Sequence, residues 1–139
     1  MTGSCACGSV SVSTTRKPDF IHDCNCGLCR KVGAGWGYFV SEEVEVTGAT
    51  NIFERPDKKV PTASVHFCPT CGTTTHFTPS AAQRAQQSCA DYVGVNAKLF
   101  SPSELTGIEI RFPDGANWTG EGDFKYRRAA LKVGEESPY

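Results

Sequence analysis

Long apolar runs are missing from this chain of 139 residues, and no hydrophobic stretch approaches the ~20 residues of a membrane-spanning helix. Residues 1–9 contain neither the basic start nor the apolar run of a secretory signal, and neither end carries a lipidation motif. We therefore expect a cytoplasmic protein with no membrane partner.

An excess of either charge is missing as well. The 14 lysine and arginine residues nearly balance the 15 aspartate and glutamate residues, which leaves a formal net charge of −1. No global field then favours nucleic acid. The one basic cluster spans residues 125–132, with Tyr126 inside it, and its simplest interpretation is a solvated surface. Nucleic acid is not an expected partner.

Signals for long helices are scarce. Only Ser80 to Ser88, rich in alanine and glutamine, has helical composition, and Ser101 to Leu105 predicts a single turn. Elsewhere apolar and polar residues alternate in short runs punctuated by glycine and proline. The predicted strands centre on residues 10–12, 36–40, 44–46, 51–55, 64–67, 73–78, 92–95 and 108–112. The sequence thus predicts a mainly β fold.

The length of the chain fits one domain over residues 1–139, with a modest core. No internal repeat of the solenoid kind is present. The last residues, 134–139, are polar, and we expect them to fray.

Cysteine, by contrast, is abundant. Seven of the eight cysteines form three tight clusters, which are Cys5 and Cys7, then Cys24, Cys26 and Cys29, then Cys68 and Cys71. Thiolates one or two residues apart can occupy neighbouring corners of a tetrahedral zinc site, so seven ligands predict two zinc ions per chain. A disulfide framework is the alternative for an even count, but a bridge within a Cys-X-Cys pair would close a strained ring. Cys89 lies outside the clusters and is predicted to be a small buried hydrophobic residue.

The first and last clusters are natural partners for one closed site. In both pairs the second cysteine is followed by a glycine, and Cys68 and Cys71 lie between two predicted strands, as in a zinc knuckle. Cys5, Cys7, Cys68 and Cys71 would then bind a structural zinc that contributes directly to folding.

The middle cluster offers three sulfurs, from Cys24, Cys26 and Cys29, and leaves a fourth position open or filled from elsewhere. An open position distinguishes a catalytic zinc from a structural one, so function is predicted to lie here. The candidate fourth ligands are His22, His66 and His76, and one of them would make the site structural. With only three ligands and an exposed position, the second zinc is predicted to be partially occupied.

Arg30 and Lys31 follow directly after Cys29. They place positive charge beside a thiolate-rich site and could bind a substrate carboxylate, although a solvated pair is the alternative. Residues 33–38, which combine glycines with Trp36 and Tyr38, could line a pocket or pack in the core.

Together, residues 3–10 (GSCACGSV), 24–30 (CNCGLCR) and 67–72 (FCPTCG) resemble the glutathione-dependent formaldehyde-activating enzyme family. The resemblance implies a fold of several small coiled antiparallel sheets stapled by zinc. It implies a structural zinc at Cys5, Cys7, Cys68 and Cys71, and a second zinc at Cys24, Cys26 and Cys29. It also implies reversible formation of S-hydroxymethylglutathione from formaldehyde and glutathione.

The functional hypothesis is therefore a zinc-dependent carbon–sulfur lyase, in which a small thiol such as glutathione is activated at Cys24, Cys26 and Cys29 and reacts with a small aldehyde. Two alternatives stay open. One is a binding module in which both metals are structural, and the other is a redox or zinc-buffering protein whose three-cysteine site releases zinc on oxidation. The sequence does not determine the oligomeric state.

Overall fold

A computed structural model of the chain describes residues 1–86, 91–120 and 122–135. The described strands form two sheets, one of three strands in the order β1-β2-β5 and one of eight in the order β11-β10-β3-β4-β9-β8-β7-β6. The strands are β1 (Thr2–Ser4), β2 (Ser11–Thr14), β3 (Phe20–His22), β4 (Trp36–Phe39), β5 (Val44–Thr47), β6 (Asn51–Phe53), β7 (Ala63–Phe67), β8 (Thr74–Pro79), β9 (Val93–Asn96), β10 (Glu109–Arg111) and β11 (Leu131–Lys132). The helices are α1 (Gly27–Val32), α2 (Ala81–Arg84) and α3 (Pro102–Leu105), with 3-10 turns at Ser41–Glu43 and Ala97–Leu99. The prediction of a mainly β fold is confirmed.

The helices are short, and within the described ranges none is long and apolar enough to cross a membrane. Strand pairing in the large sheet is antiparallel except between β3 and β10, where Ile21 lies opposite Ile110 in a parallel register. A parallel pair needs a long crossover, which the intervening strands β4 to β9 supply. This pairing places β10 beside β3, the strand that leads to Cys24.

The main core joins the two sheets. Val12 from the small sheet packs in one cluster with Ile21, Val95 and Ile110 from the large sheet, and all four are at most 1% exposed. This cluster is formed by apolar residues of the strands with an alternating pattern, because every second side chain of such a strand points inward. The core therefore holds β3, which ends two residues before Cys24, in a fixed position.

A second apolar cluster lies beside the three-cysteine loop and contains Trp36, Val65 and Phe77, with Cys29 packed against it. Gly94 in β9 makes room for it, because a Cβ built there would fall 1.9 Å from the Phe77 ring. Trp36 packs in this second cluster and Phe39 packs in the main core, so β4 buries side chains on both of its faces.

The helix α1 was not predicted, because its six residues carry no helical composition. It forms through its two ends: the Sγ of Cys26 accepts a hydrogen bond from the Cys29 amide, and Gly33 ends the helix with a φ of 64°. The predicted helix at Ser80 to Ser88 contains α2, capped by the Ser80 side chain. Residues 87 and 88, Cys89 and the tail residues 136–139 lie outside the described residues, so the predictions made for them stay predictions.

Candidate metal centres and an adjoining cavity

The four cysteines from the ends of β1 and β7 come together as predicted. The Sγ atoms of Cys5, Cys7, Cys68 and Cys71 all lie within 4.8 Å of one another. The Cys5 to Cys7 and Cys7 to Cys68 sulfur distances are 3.6 and 3.7 Å. Four thiolates each ~2.3 Å from a tetrahedral zinc have sulfur–sulfur edges of ~3.8 Å, which these two distances approach, so the cluster fits a metal ion.

Two matching turns hold these sulfurs. In each turn a glycine with positive φ, Gly8 or Gly72, donates its amide to the carbonyl of the first cysteine at 3.0 or 2.9 Å. The Val10 amide donates to Cys5 Sγ at 3.3 Å. The hydroxyl of Thr73 lies 3.2 Å from Cys71 Sγ and lowers the pKa of that thiol to about 5. Amide and hydroxyl donors of this kind stabilise thiolate charge, which metal binding needs.

The three-cysteine cluster lies on the short loop and first turn between β3 and α1. The Sγ atoms of Cys24, Cys26 and Cys29 also lie within 4.8 Å of one another, and all three residues are partly exposed. Each sulfur accepts a hydrogen bond of 3.4 Å, from the Cys26 amide, the Cys29 amide and the Trp36 indole nitrogen respectively. Helix capping thus aims one of the sulfurs, and the buried indole aims another.

Because the three thiols lie close together, their pKa values shift in different directions. Hydrogen bonds from the Cys24 and Cys29 thiols hold the pKa of Cys26 well below its usual range. Hydrogen bonds to Cys24 and Cys26, with burial, raise the pKa of Cys29. Of these three thiols, the lowered pKa favours the thiolate form at Cys26, at the N-terminus of α1. A metal ion bound there would deprotonate its coordinating thiols.

A loop from the C-terminal part of the chain clamps the cluster. The Asn25 amide donates to Asp114 Oδ1 at 2.7 Å, and its carbonyl oxygen accepts from the Ala116 amide at 2.9 Å. Arg127 donates to the carbonyl and carboxylate of Asp23, at 2.7 and 2.9 Å. Gly115 lies so close that a Cβ there would fall 2.5 Å from Cys24 Sγ. The three sulfurs are therefore positioned from both sides.

All three of these cysteines open onto a cavity of about 700 Å³. None of the four cysteines of the other cluster lines it. Six aromatic residues contribute to its walls: Trp36, Tyr38, Phe77, Tyr92, Trp118 and Phe124. Two cations, Arg55 and Lys58, lie on the segment between β6 and β7, and the lining otherwise is mostly apolar or hydroxyl-bearing. The arrangement matches a ligand pocket, with an apolar body and few polar groups.

Arg30 and Lys31 lie in the last turn of α1, exposed, and neither lines this cavity. Their predicted role at a substrate carboxylate stays a prediction. Sequence reasoning did not assign Arg55, Lys58 or Trp118 to the site, because these residues are distant from the cysteines in the chain and reach the cavity only through the fold. The feature that could have signalled the first two is the turn-forming, charged segment 55–59 between two predicted strands.

No described histidine joins either sulfur group. His22 lines the cavity, and its Nδ1 lies 3.2 Å from the Tyr38 hydroxyl. Its Nε2 is buried without a hydrogen-bond partner among the described residues. Burial, followed by the charge of Arg111, lowers the pKa of His22 to about 4. His66 and His76 stack on each other at 4.1 Å in the β7–β8 pair. The fourth position of the three-cysteine cluster is therefore not filled by a described histidine.

Comparison with known proteins adds to this geometry. The sequence model of the family described as glutathione-dependent formaldehyde-activating enzyme matches residues 1–104. No curated protein matches the chain. A crystal structure of a Rhodobacter sphaeroides protein superposes with a TM-score of 0.58 and 26% sequence identity, covering 78% of this chain and 97% of that one. The residues that the family model matches include all seven clustered cysteines, whereas the loop that contains Gly115 and Trp118 lies beyond them.

Proposed function

Because this chain belongs to the glutathione-dependent formaldehyde-activating enzyme family, we propose that it is a zinc-dependent carbon–sulfur lyase. It joins formaldehyde reversibly to a small thiol, of which glutathione is the one carried by the family's name. The observation that supports this most is the position of Cys24, Cys26 and Cys29, which lie together on the wall of the cavity. The other four cysteines, away from the cavity, bind the structural zinc.

Cys24, Cys26 and Cys29 would hold the second zinc. A zinc ion held by these three residues would supply the positive charge that keeps a thiol deprotonated at neutral pH, where a free thiol is only a few per cent thiolate. Sulfur suits a thiolate-rich zinc, and three negative ligands weaken the ion as a Lewis acid for the aldehyde. Activation of the thiol is therefore the preferred role, and the two predicted zinc ions per chain have different tasks.

In the forward reaction the thiolate sulfur forms a bond to the aldehyde carbon while the carbon–oxygen π bond breaks. The oxygen takes up one proton, which balances the proton that the thiol lost, and the product is a hydroxymethyl thioether, R–S–CH2–OH. The chain's own residues orient this step. Trp36 and the Asn25–Asp114 contact fix the cysteine sulfurs, and the aromatic walls limit the water that competes for the aldehyde.

The binding-module alternative has less support. Its candidate surface was the basic cluster at 125–132, but Arg127 is held by Asp23, and both Arg127 and Arg128 lie over the Phe112 ring, at 5.2 and 4.9 Å. Arginines with these contacts are less available to phosphate groups. Treatment with peroxide tests the redox alternative. Zinc release that a thiol reverses, without adduct formation, would favour it.

The direct test follows zinc content and adduct formation in Cys26→Ser. The unmutated chain is expected to bind up to two zinc ions and to form the hydroxymethyl adduct, observed with ¹³C-formaldehyde by NMR. Cys26→Ser is expected to keep one zinc and the fold but to lose at least about 100-fold in adduct formation. Cys89→Ser makes the same chemical change outside the clusters and is the control. Full activity of Cys26→Ser would overturn the proposal.

Arg30 and Lys31 remain candidates for binding a carboxylate of glutathione. If Arg30 has this role, Arg30→Ala is expected to raise the KM for glutathione about tenfold with little change in kcat. An unchanged KM would remove Arg30 from the site.

A further inference from the structure

The side chains that line the cavity are a poor chemical match for a peptide thiol. Trp36 meets Phe77 edge to face at 4.8 Å, and Phe77 meets Tyr92 at 5.9 Å. Trp118 and Phe124, which also line the cavity, pack with ring centroids 4.6 Å apart. Glutathione carries two carboxylates, an ammonium group and two amides, and each needs a partner when it leaves water. Mostly aromatic walls offer few such partners.

The charged side chains among the described lining residues of the cavity are both cations. The lining contains Arg55 and Lys58 but no aspartate or glutamate among the described residues. Arg55 is already paired with Asp57, with its Nε 3.0 Å and its Nη2 2.5 Å from the two carboxylate oxygens. The charge of Lys58 contributes to the lowered pKa of the adjacent Asp57, but within the described part of the chain Lys58 forms no salt bridge. One ammonium group is therefore left to meet one anionic group of a ligand, and no lining carboxylate is there to meet an ammonium.

The family match covers the cysteines but not the whole cavity. It ends at residue 104, whereas Trp118 and Phe124 come from the loop beyond it. The family model therefore covers the cysteines but not the part of the aromatic wall that Trp118 and Phe124 form.

We infer that the cavity binds, as the thiol partner of the reaction proposed above, a thiol with an apolar or aromatic body and a single carboxylate, in preference to a peptide thiol. The inference rests on the proposed function for the placement of sulfur at Cys24, Cys26 and Cys29. The body of the ligand lies between the Trp36 and Trp118 walls, and its carboxylate lies at Lys58. Aromatic stacking and one charged hydrogen bond supply the selectivity.

The test uses thiols that share an alkyl SH group and differ in one feature. 2-Benzyl-3-sulfanylpropanoate has the ring and the carboxylate, its primary amide lacks the charge, 3-sulfanylpropanoate lacks the ring, and glutathione is the peptide. Binding to the zinc-loaded protein is measured by calorimetry and by quenching of tryptophan fluorescence. The first compound is expected to bind about tenfold or more tightly than each of the other three. Equal or tighter binding of glutathione would overturn the inference.

Matched variants locate the contacts. Lys58→Gln is expected to remove the preference for the acid over its amide, whereas Lys59→Gln, the same change at the adjacent residue outside the lining, keeps it. Trp118→Ala is expected to remove the preference for the benzyl compound over 3-sulfanylpropanoate. Phe53→Ala, at an exposed ring outside the cavity, keeps it. Equal effects within either pair would contradict the assigned contact.

Adding ¹³C-formaldehyde to the same samples separates the two proposals. Selective binding of the benzyl acid without any adduct supports the ligand class and overturns the lyase reaction. Adduct formation that is fastest with glutathione supports the lyase reaction and overturns the ligand class.

Discussion

The four-cysteine and three-cysteine clusters use the same local devices for different ends. Both place sulfurs within 4.8 Å of one another and supply hydrogen-bond donors to them. In the first cluster Cys5 and Cys68 are buried, and Cys7 and Cys68 are 61 residues apart in the chain. In the second, all three sulfurs come from six consecutive residues and line the cavity. The comparison teaches that two cysteine clusters of similar local geometry differ in the separation of their residues along the chain and in their access to the cavity.

The energetic reason is chain entropy. A metal that joins distant segments closes a long loop and restricts the unfolded chain, and its binding free energy becomes folding free energy. A metal held by one short loop closes almost no chain. Its position must then come from side chains, and here Asn25, Trp36 and the 114–117 loop supply it.

The largest contrast is expected from removing one sulfur of the first cluster. Cys68→Ser should unfold the domain or lower the free energy of unfolding by more than about 3 kcal/mol, because a closed site loses a buried ligand. Cys26→Ser should change it by less than about 1 kcal/mol. Thermal and urea unfolding, followed by circular dichroism with metal analysis, measure both. Equal destabilisation by the two variants would break the comparison.

Chelator should separate the two sites in the unmutated protein. The three-cysteine site, with fewer ligands and partly exposed sulfurs, is expected to hold metal roughly 100-fold more weakly, which corresponds to about 2.7 kcal/mol. This agrees with the predicted partial occupancy of the second zinc. Dialysis against graded chelator, with zinc measured per chain, should release one ion well before the other. Simultaneous release would contradict the expectation.

Gly115→Ala should sharpen the comparison without removing a sulfur. The added Cβ would fall 2.5 Å from Cys24 Sγ, so the thiol or the loop must move. Metal affinity at this cluster is expected to fall about 10- to 100-fold, while the four-cysteine site keeps its metal. The matched control is Gly27→Ala, where a Cβ meets nothing within 4 Å. An unchanged affinity would mean that the loop yields freely.

Asn25→Ala should give the smallest effect. It removes two hydrogen bonds that hold the 24–29 loop against residues 114 and 116, and metal affinity is expected to fall about tenfold. The control Asn117→Ala removes a different hydrogen bond to Asp114, of 2.7 Å, and leaves Asn25 paired. Titration with a colorimetric zinc competitor measures both. Comparable losses would assign the effect to Asp114 and the loop rather than to Asn25.

Much of this architecture was predictable from local pattern. Alternation of apolar and polar residues indicated β2, β5 and β10, because the period of a half-buried strand is visible in any short window. The tight cysteine spacing indicated both clusters, because two ligands on one turn need no information about the rest of the fold. The helix α1 escaped prediction, since its stability comes from a thiol cap and a glycine end rather than from its composition.

The sequence by itself determined the β class, the grouping of seven cysteines into two sites and the family. These properties depend on residues near one another in the chain or on motifs of fixed spacing. Only the tertiary structure decided which cluster faces a cavity, that Arg55, Lys58 and Trp118 line it, and that Arg30 and Lys31 do not. The parallel pairing of β3 with β10 and the β6–β7 connection set these neighbours. Contacts between residues far apart in the chain have no local signature, because they arise from the packing of whole strands.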